Sequence, residues 1–148
     1  MTAVVMDILQ GVARRAEQSG VFGAVEVQGG RLACAAKASA EPAFYRLSPE
    51  GDALWVELVT PDRWLSGSIE GDLIHTGDKL EELLDEELAD LGHDGPVPTY
   101  EHFRSEDMLF TFRTRVPQLD EETAARFLLA YEQCFRNLGD MEEGTGDD

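Results

Sequence analysis

The three histidines of this 148-residue chain are the first side chains to consider for metal binding or acid–base catalysis. They are His75, His93 and His102, well separated along the sequence. None begins an H-x-x-x-H or H-x-x-E spacing, which in many zinc enzymes places two functional groups on one face of a helix. The sequence therefore predicts no metal site, while a site assembled from distant residues remains an open alternative.

The chain also lacks the short motifs that mark a reactive nucleophile or a phosphate-binding loop. It contains no G-x-S-x-G turn and no glycine-rich phosphate loop, because Gly29-Gly30 is an isolated pair. Cys34 and Cys134 have apolar neighbours and no basic ones, so we interpret both as small buried residues of a reducing compartment. We predict no catalytic residue, no cofactor and no enzymatic activity.

Arginines on predicted strands are a more informative feature. Strand alternation places Arg113 and Arg115 on one face and Phe110 and Phe112 on the other. If the phenylalanines pack under helices, the arginines lie on the open face, beside Trp55. Arg and Trp often dominate binding energy at interfaces, so Trp55, Arg113 and Arg115 are candidate partner-binding residues. The alternative is that these arginines pair with nearby acids and cover the sheet with their stems; the same question applies to the other strand arginines, Arg46, Arg63 and Arg104.

The charge balance limits the classes of partner. The 12 Lys and Arg residues face 30 Asp and Glu, a formal net charge of −18. This charge repels phosphate backbones, so we expect no nucleic-acid binding, and it attracts basic proteins or peptide segments. A surface selected only for solubility is an equally good explanation of the charge alone.

The elements that must position these residues follow from hydrophobic periodicity. Helical spacing of apolar residues predicts a first helix over Thr2–Gln18, ended by Gly20. Two strand pairs follow, 24–27 with 31–34 about Gly29-Gly30, and 44–47 with 53–59 about a turn at 48–52. A weaker strand is expected over 63–69.

The second half of the chain predicts two more helices and another strand pair. Leu80, Leu83, Leu84, Leu88 and Leu91 form one apolar stripe of a helix that starts near Asp78 and whose other face is acidic. Strands are expected over about 100–104 and 108–116, and Asp120 is a favourable N-cap for a last helix to about Leu138.

The predicted fold class is therefore α+β, an antiparallel twisted sheet with helices packed on one face, in the order α-β(4–5)-α-β-β-α. We expect a single domain over residues 1–139 and a disordered acidic tail over 140–148. No apolar run reaches membrane length and no signal-peptide pattern opens the chain. A cytoplasmic protein that does not bind membranes is expected.

This layout resembles the type III secretion chaperones and the related YbjN-like proteins, described as bacterial sensory-transduction regulators. Residues 103–113 look like their paired-strand segment, and residues 127–135 look like their last helix. The chain departs from that pattern by additional strand sequence between Ala24 and Leu47. The resemblance implies a chaperone-like monomer or homodimer that binds a protein or peptide segment without a cofactor and without a catalytic set.

Three functions are consistent with these features. The first is a non-enzymatic, chaperone- or regulator-like module that binds a protein or peptide segment. The second is an acidic immunity- or antitoxin-type inhibitor, in which the helix around Glu81–Asp90 blocks a basic partner protein. The third is an enzyme with an uncommon site, which would require a deep pocket with converging histidines and carboxylates.

Overall fold

A computed structural model describes residues 3–36, 43–50, 53–61, 67, 69, 71, 80–92, 100–104 and 109–136. Within these ranges the chain forms six strands and three helices with defined bounds, and residues 67, 69 and 71 are also helical. The elements are α1 (Ala3–Ser19), β1 (Phe22–Gln28), β2 (Arg31–Ala36), β3 (Phe44–Glu50), β4 (Ala53–Thr60), α2 (Leu80–Asp90), β5 (Tyr100–Arg104), β6 (Phe110–Arg115) and α3 (Glu121–Arg136). The predicted α+β class is confirmed.

The six strands form one antiparallel sheet in the order β1-β2-β3-β4-β6-β5. Helices α1 and α3 pack on one face of this sheet and on each other, and α2 packs on α3. We call the covered side the helix face. The core lies there, and its largest fully buried side chains include Tyr45, Leu58, Phe112 and Tyr131.

The first helix follows its predicted apolar stripe. Ile8, Leu9, Val12 and Ala16 are all buried in the core. The helix ends at Ser19, whose hydroxyl donates a hydrogen bond of 2.6 Å to the carbonyl oxygen of Ala16. Gly20 follows with φ of 74°, a left-handed conformation that suits glycine at a helix C-terminus.

A tight hairpin sets the register of β1 and β2. Gly29 and Gly30 have φ of 59° and 74°, the two positive values that a type I′ turn requires. This turn joins Gln28 to Arg31, which face each other across the ladder. The predicted glycine turn is thus confirmed.

The last helix begins where its cap predicts. The backbone N–H of Thr123 donates to Oδ1 of Asp120 at 2.7 Å, and Glu121 and Glu122 occupy the first turn, where the helix dipole favours negative charge. Phe135 of α3 packs on Phe112 of β6, with ring centroids 5.4 Å apart. The helix therefore anchors β6 from the helix face.

The middle helix buries its leucine stripe and exposes its acids. Leu84 and Leu88 are completely buried, and Leu83 and Leu91 pack against the core. Gly92, with φ of 92°, follows the helix. Four acidic side chains of α2 are exposed: Glu82, Asp85, Glu86 and Asp90.

The expected turn at 48–52 was wrong in part, because β3 continues through residue 50. Ser48, Pro49 and Glu50 pair with Trp55, Leu54 and Ala53 of β4. The last β2 partner of β3 is Leu32, opposite Leu47, so Pro49 pairs on one side only. A proline is tolerated there because its missing N–H removes no ladder hydrogen bond.

The weaker strand expected over 63–69 was also wrong where it can be compared, since residues 67 and 69 are helical. Glycine between serines is a poor strand former, and Ile69 reaches the core from this segment fully buried. Arg63, Leu138, Gly139 and the tail 140–148 lie outside the described residues. In the described part of the chain, no helix is both long and apolar enough to cross a membrane.

Candidate functional site

The face of the sheet opposite the helices, the open face, carries every second residue of each strand. Three rows of its side chains cross the strands, and Glu50 and Ala53 lie beyond them at the end of the β3–β4 ladder. The charged row comprises Glu26, Ala33, Arg46, Glu57, Arg113 and Glu101. The aromatic row comprises Ala35, Phe44, Val59, Thr111 and Phe103. The tryptophan row comprises Gln28, Arg31, Ser48, Trp55 and Arg115, with Arg31 placed beside Ser48 by continuing the β2–β3 register one residue beyond Leu32.

A buried ion pair occupies the centre of the charged row. One carboxylate oxygen of Glu57, Oε1, accepts hydrogen bonds from Arg46 Nε at 3.0 Å and from Ser48 Oγ at 2.8 Å, and Arg46 Nη2 lies 2.9 Å from the same atom. The Arg46 and Glu57 side chains are only 13% and 7% exposed. Three donors on one oxygen satisfy the buried charge, so this pair is part of the structure of the sheet.

Arg113 is held by acids and aromatic rings together. Its Nε donates to Glu101 at 2.9 Å, and its Nη1 donates to Glu50 at 3.2 Å. Its guanidinium carbon lies 4.0 Å from the centre of the Trp55 ring and 5.1 Å from the centre of the Phe103 ring, within the range of cation–π attraction. Burial acts to lower the pKa of Arg113, but the hydrogen bonds and negative charges of Glu101 and Glu50 outweigh it, and the pKa is raised.

The aromatic row is closed in its middle and exposed toward its sides. Val59 and Thr111 are each 1% exposed, whereas Phe44 and Phe103 are 39% and 38% exposed. Phe44 and Phe103 lie on strands separated by three strand spacings, about 14 Å. Two exposed phenylalanine rings thus flank a surface that water does not enter.

The arginines of the tryptophan row, unlike those of the charged row, have no acidic partner among the described residues. Arg115 is exposed and lies directly opposite Trp55 in the β4–β6 ladder. Arg31 is half-buried at the other side of the row. Neither forms an ion pair or a side-chain hydrogen bond with any residue that the structure describes.

The structure thus brings together the three predicted partner-binding residues, Trp55, Arg113 and Arg115, on one face. The alternative, that the strand arginines pair with nearby acids, holds for Arg113 and Arg46. It does not hold for Arg115 among the described residues. Arg104 is exposed on β5, on the helix side of that strand, where it alternates with Phe103.

Sequence reasoning missed Phe44, Phe103 and Glu57. A signal for Phe103 was present, because alternation within 100–104 separates it from Tyr100 and His102. Phe44 begins its strand and gave no comparable signal. No local pattern marks Glu57 as buried, since its donors come from a neighbouring strand.

The residues considered for catalysis occupy structural positions where they are described. Cys34 and Cys134 are free and buried; burial, with a smaller effect of nearby glutamates, raises the pKa of each thiol to about 12. His102 stacks on Phe112 with ring centroids 3.8 Å apart, while His75 and His93 lie outside the described residues. Among those described, no three His, Cys, Asp or Glu side chains are grouped so as to hold a metal ion.

Comparison of the chain with models of known protein families, with curated proteins and with solved structures gives no match. The side chains of the open face are therefore the features that bear on function.

Proposed function

We propose that this chain is a non-enzymatic binding module, chaperone- or regulator-like, that holds a segment of another protein on its open face. The observation that carries the proposal is the exposure of Phe44 and Phe103 on a sheet face that the three described helices leave uncovered. Large apolar side chains left at the surface add little burial energy to folding, and a partner that covers them gains that energy on binding. Trp55 and Arg115 add the residue types that contribute most at interfaces.

The closed centre of this face supports the same function. The Arg46–Glu57–Ser48 cluster is internally satisfied, so a partner would meet a surface that needs little rearrangement. A preorganised surface binds at a lower entropic cost than one that must order on contact. The surface suits an extended or helical segment that lies across its rows.

Two further features are consistent with this proposal. The resemblance to type III secretion chaperones and YbjN-like proteins implies the same class of function, without catalysis or cofactor. The free, buried cysteines are compatible with the reducing cytoplasm in which we expect the protein to act. We also expect no membrane or nucleic-acid partner, and a monomer or homodimer.

The test is capture of a partner from native lysate by the full chain and by matched variants. The open-face variant combines Phe44→Ser and Phe103→Ser, and the control combines Glu82→Ser and Asp85→Ser on the exposed side of α2. Circular dichroism and urea midpoints establish that both variants are folded. We expect the open-face variant to lose a partner that the wild type and the control retain.

A second candidate function is inhibition of a basic partner protein by α2, as an immunity protein or antitoxin would act. The observation that favours it is the absence of any basic residue in the last turn of α2, although cations would be stabilising at that end of a helix. This function predicts the reverse result: the α2 variant loses the partner, and binding weakens steeply with salt. Retention of the partner by the α2 variant excludes it.

A further inference from the structure

The arginines of the tryptophan row, which have no acidic partner among the described residues, indicate the chemistry of the partner segment. Acidic residues outnumber basic ones in this chain, 30 to 12, and on the same face Arg46 and Arg113 both have acidic partners. Arg31 and Arg115 have none among the described residues. Exposed Arg14 and Arg104 also lack one, but Arg14 lies on α1 and Arg104 lies on the helix side of β5. Among the described arginines of the open face, Arg31 and Arg115 are thus the two without an acidic partner, and they lie on opposite sides of Trp55 in one row.

We propose that Arg31 and Arg115 bind two carboxylates of an extended partner segment that crosses the strands over Trp55. This inference rests on the proposed function, because it names the chemistry of the segment held by the open face. An arginine accepts a carboxylate through two parallel hydrogen bonds, which gives both strength and orientation.

The spacing of the row defines the segment further. Arg31 on β2 and Arg115 on β6 are separated by three strand spacings, about 14 Å. An extended chain covers the same distance in about four residues, and its side chains i, i+2 and i+4 point to the same side. The matching segment therefore has acidic residues at i and i+4 and an apolar residue at i+2, which lies between Ser48 and Trp55.

The net charge of −18 does not prevent this contact. At physiological salt, charges farther away than about 8 Å are largely screened, so the local charges of the open face, and not the net charge of the chain, decide the field that a docked carboxylate experiences. The long-range repulsion still slows the approach of an acidic segment. Its association rate should therefore rise when salt increases from about 20 to about 150 mM, whereas the rate for a basic segment should fall.

The experiment is selection of short peptides of random sequence, displayed on phage, against the immobilised full chain. We expect enrichment of Asp or Glu at i and i+4 with an apolar residue between them. Arg115→Glu should change the enriched residue at one of these positions to Lys or Arg. For a synthetic peptide from the selected set, Arg31→Gln and Arg115→Gln should each raise Kd about tenfold, the loss expected for one charge-assisted pair.

The matched control is Arg14→Gln, which removes one exposed positive charge from α1 and should change Kd by no more than about twofold. Enrichment of Lys or Arg on the wild-type chain, sensitive to Phe103→Ser, would overturn this inference and leave the proposed function standing. Failure to enrich any peptide would count against both. If the wild-type chain self-associates and Arg115→Gln abolishes this self-association, the tryptophan row binds the acidic α2 of a second copy, and the inference is overturned.

Discussion

The two faces of the same sheet show how one set of strands serves two purposes. In β6, Phe112 and Thr114 point into the helix face and are completely or almost completely buried, while Arg113 and Arg115 alternate with them on the open face. The helix face is closed by ring packing with α3. The open face is closed only at its centre, where Arg46 and Glu57 form a buried ion pair and Val59 and Thr111 are each 1% exposed. Burial on the helix face thus supplies stability, and incomplete burial on the open face leaves the surface that we propose binds a partner.

The largest expected effect is truncation of the helix face. Phe112 is 1% exposed and packs against His102 and Phe135, so Phe112→Ala leaves a cavity in the core. We expect it to lower the free energy of unfolding by about 3–5 kcal/mol, measured by urea denaturation. Phe44→Ala, at a ring that is already 39% exposed, is the control and should cost less than about 1.5 kcal/mol. Equal losses of stability for the two variants would contradict the conclusion that burial on the helix face, and not on the open face, supplies the stability.

The second prediction concerns the closed centre of the open face. Glu57→Ala leaves the Arg46 guanidinium with little solvent and without its acid, and should lower the free energy of unfolding by about 2–4 kcal/mol. Glu101→Ala is the matched control, because Glu101 also accepts from an arginine of the charged row but its side chain is 51% exposed. The control should cost less than about 1 kcal/mol. A large loss of stability for Glu101→Ala, without one for Glu57→Ala, would refute the assignment of Arg46 and Glu57 as the structural ion pair of this face.

The third prediction tests a polar contact that joins β6 to α3. The hydroxyls of Thr114 and Tyr131 lie 2.6 Å apart and are buried. Thr114→Val leaves the phenol without this partner and should cost about 1–2 kcal/mol. Tyr131→Phe removes the other hydroxyl, and in the double variant the two losses should not add, with a coupling of at least about 0.5 kcal/mol. Additive losses in urea unfolding would show that the hydroxyls act independently.

Much of the helix face could be predicted from the sequence because its signals are local. The stripes of α1 and α2, the Gly29-Gly30 turn and the Asp120 cap each depend on residues within one or two turns of one another. The extension of β3 through Pro49 could not be predicted, because the proline is tolerated only where β2 has ended. That information belongs to the sheet order and not to the residues around Pro49.

The open face was predictable only in outline, for the same reason. Alternation placed Arg113 and Arg115 together, but it could not say that Arg113 meets Glu50 and Glu101 from two other strands while Arg115 meets no described acid. The insertion of β6 between β4 and β5 decides these neighbours. Glu57 is buried for a comparable reason, since its donors Arg46 and Ser48 come from β3.

The fourth prediction uses the buried thiols to probe whether the helix face stays closed. The folded pKa of Cys34 and of Cys134 is raised from 9.0 to about 12, so the folded state retains a proton that the unfolded state loses between these values. Stability should be complete below about pH 9 and fall as the pH rises toward 12, by on the order of 1 kcal/mol per thiol at pH 10. Cys34→Ala/Cys134→Ala should show a smaller decrease across this range. An identical decrease would assign the effect to other groups.

The smallest expected effect on stability separates two arginines of the open face. Arg113→Gln removes two ion pairs and the contact with the Trp55 ring, and should lower the free energy of unfolding by about 1 kcal/mol. Arg115→Gln removes an exposed charge with no described partner and should change it by less than about 0.5 kcal/mol. Binding of a selected peptide should be weakened more by Arg115→Gln than by Arg113→Gln. Arg115 has no described partner and can contact a ligand, whereas Arg113 is already held by Glu50 and Glu101. Urea unfolding and peptide titration of both variants measure these effects. If Arg113→Gln has the larger effect on both stability and binding, Arg115, like Arg113, is a structural residue.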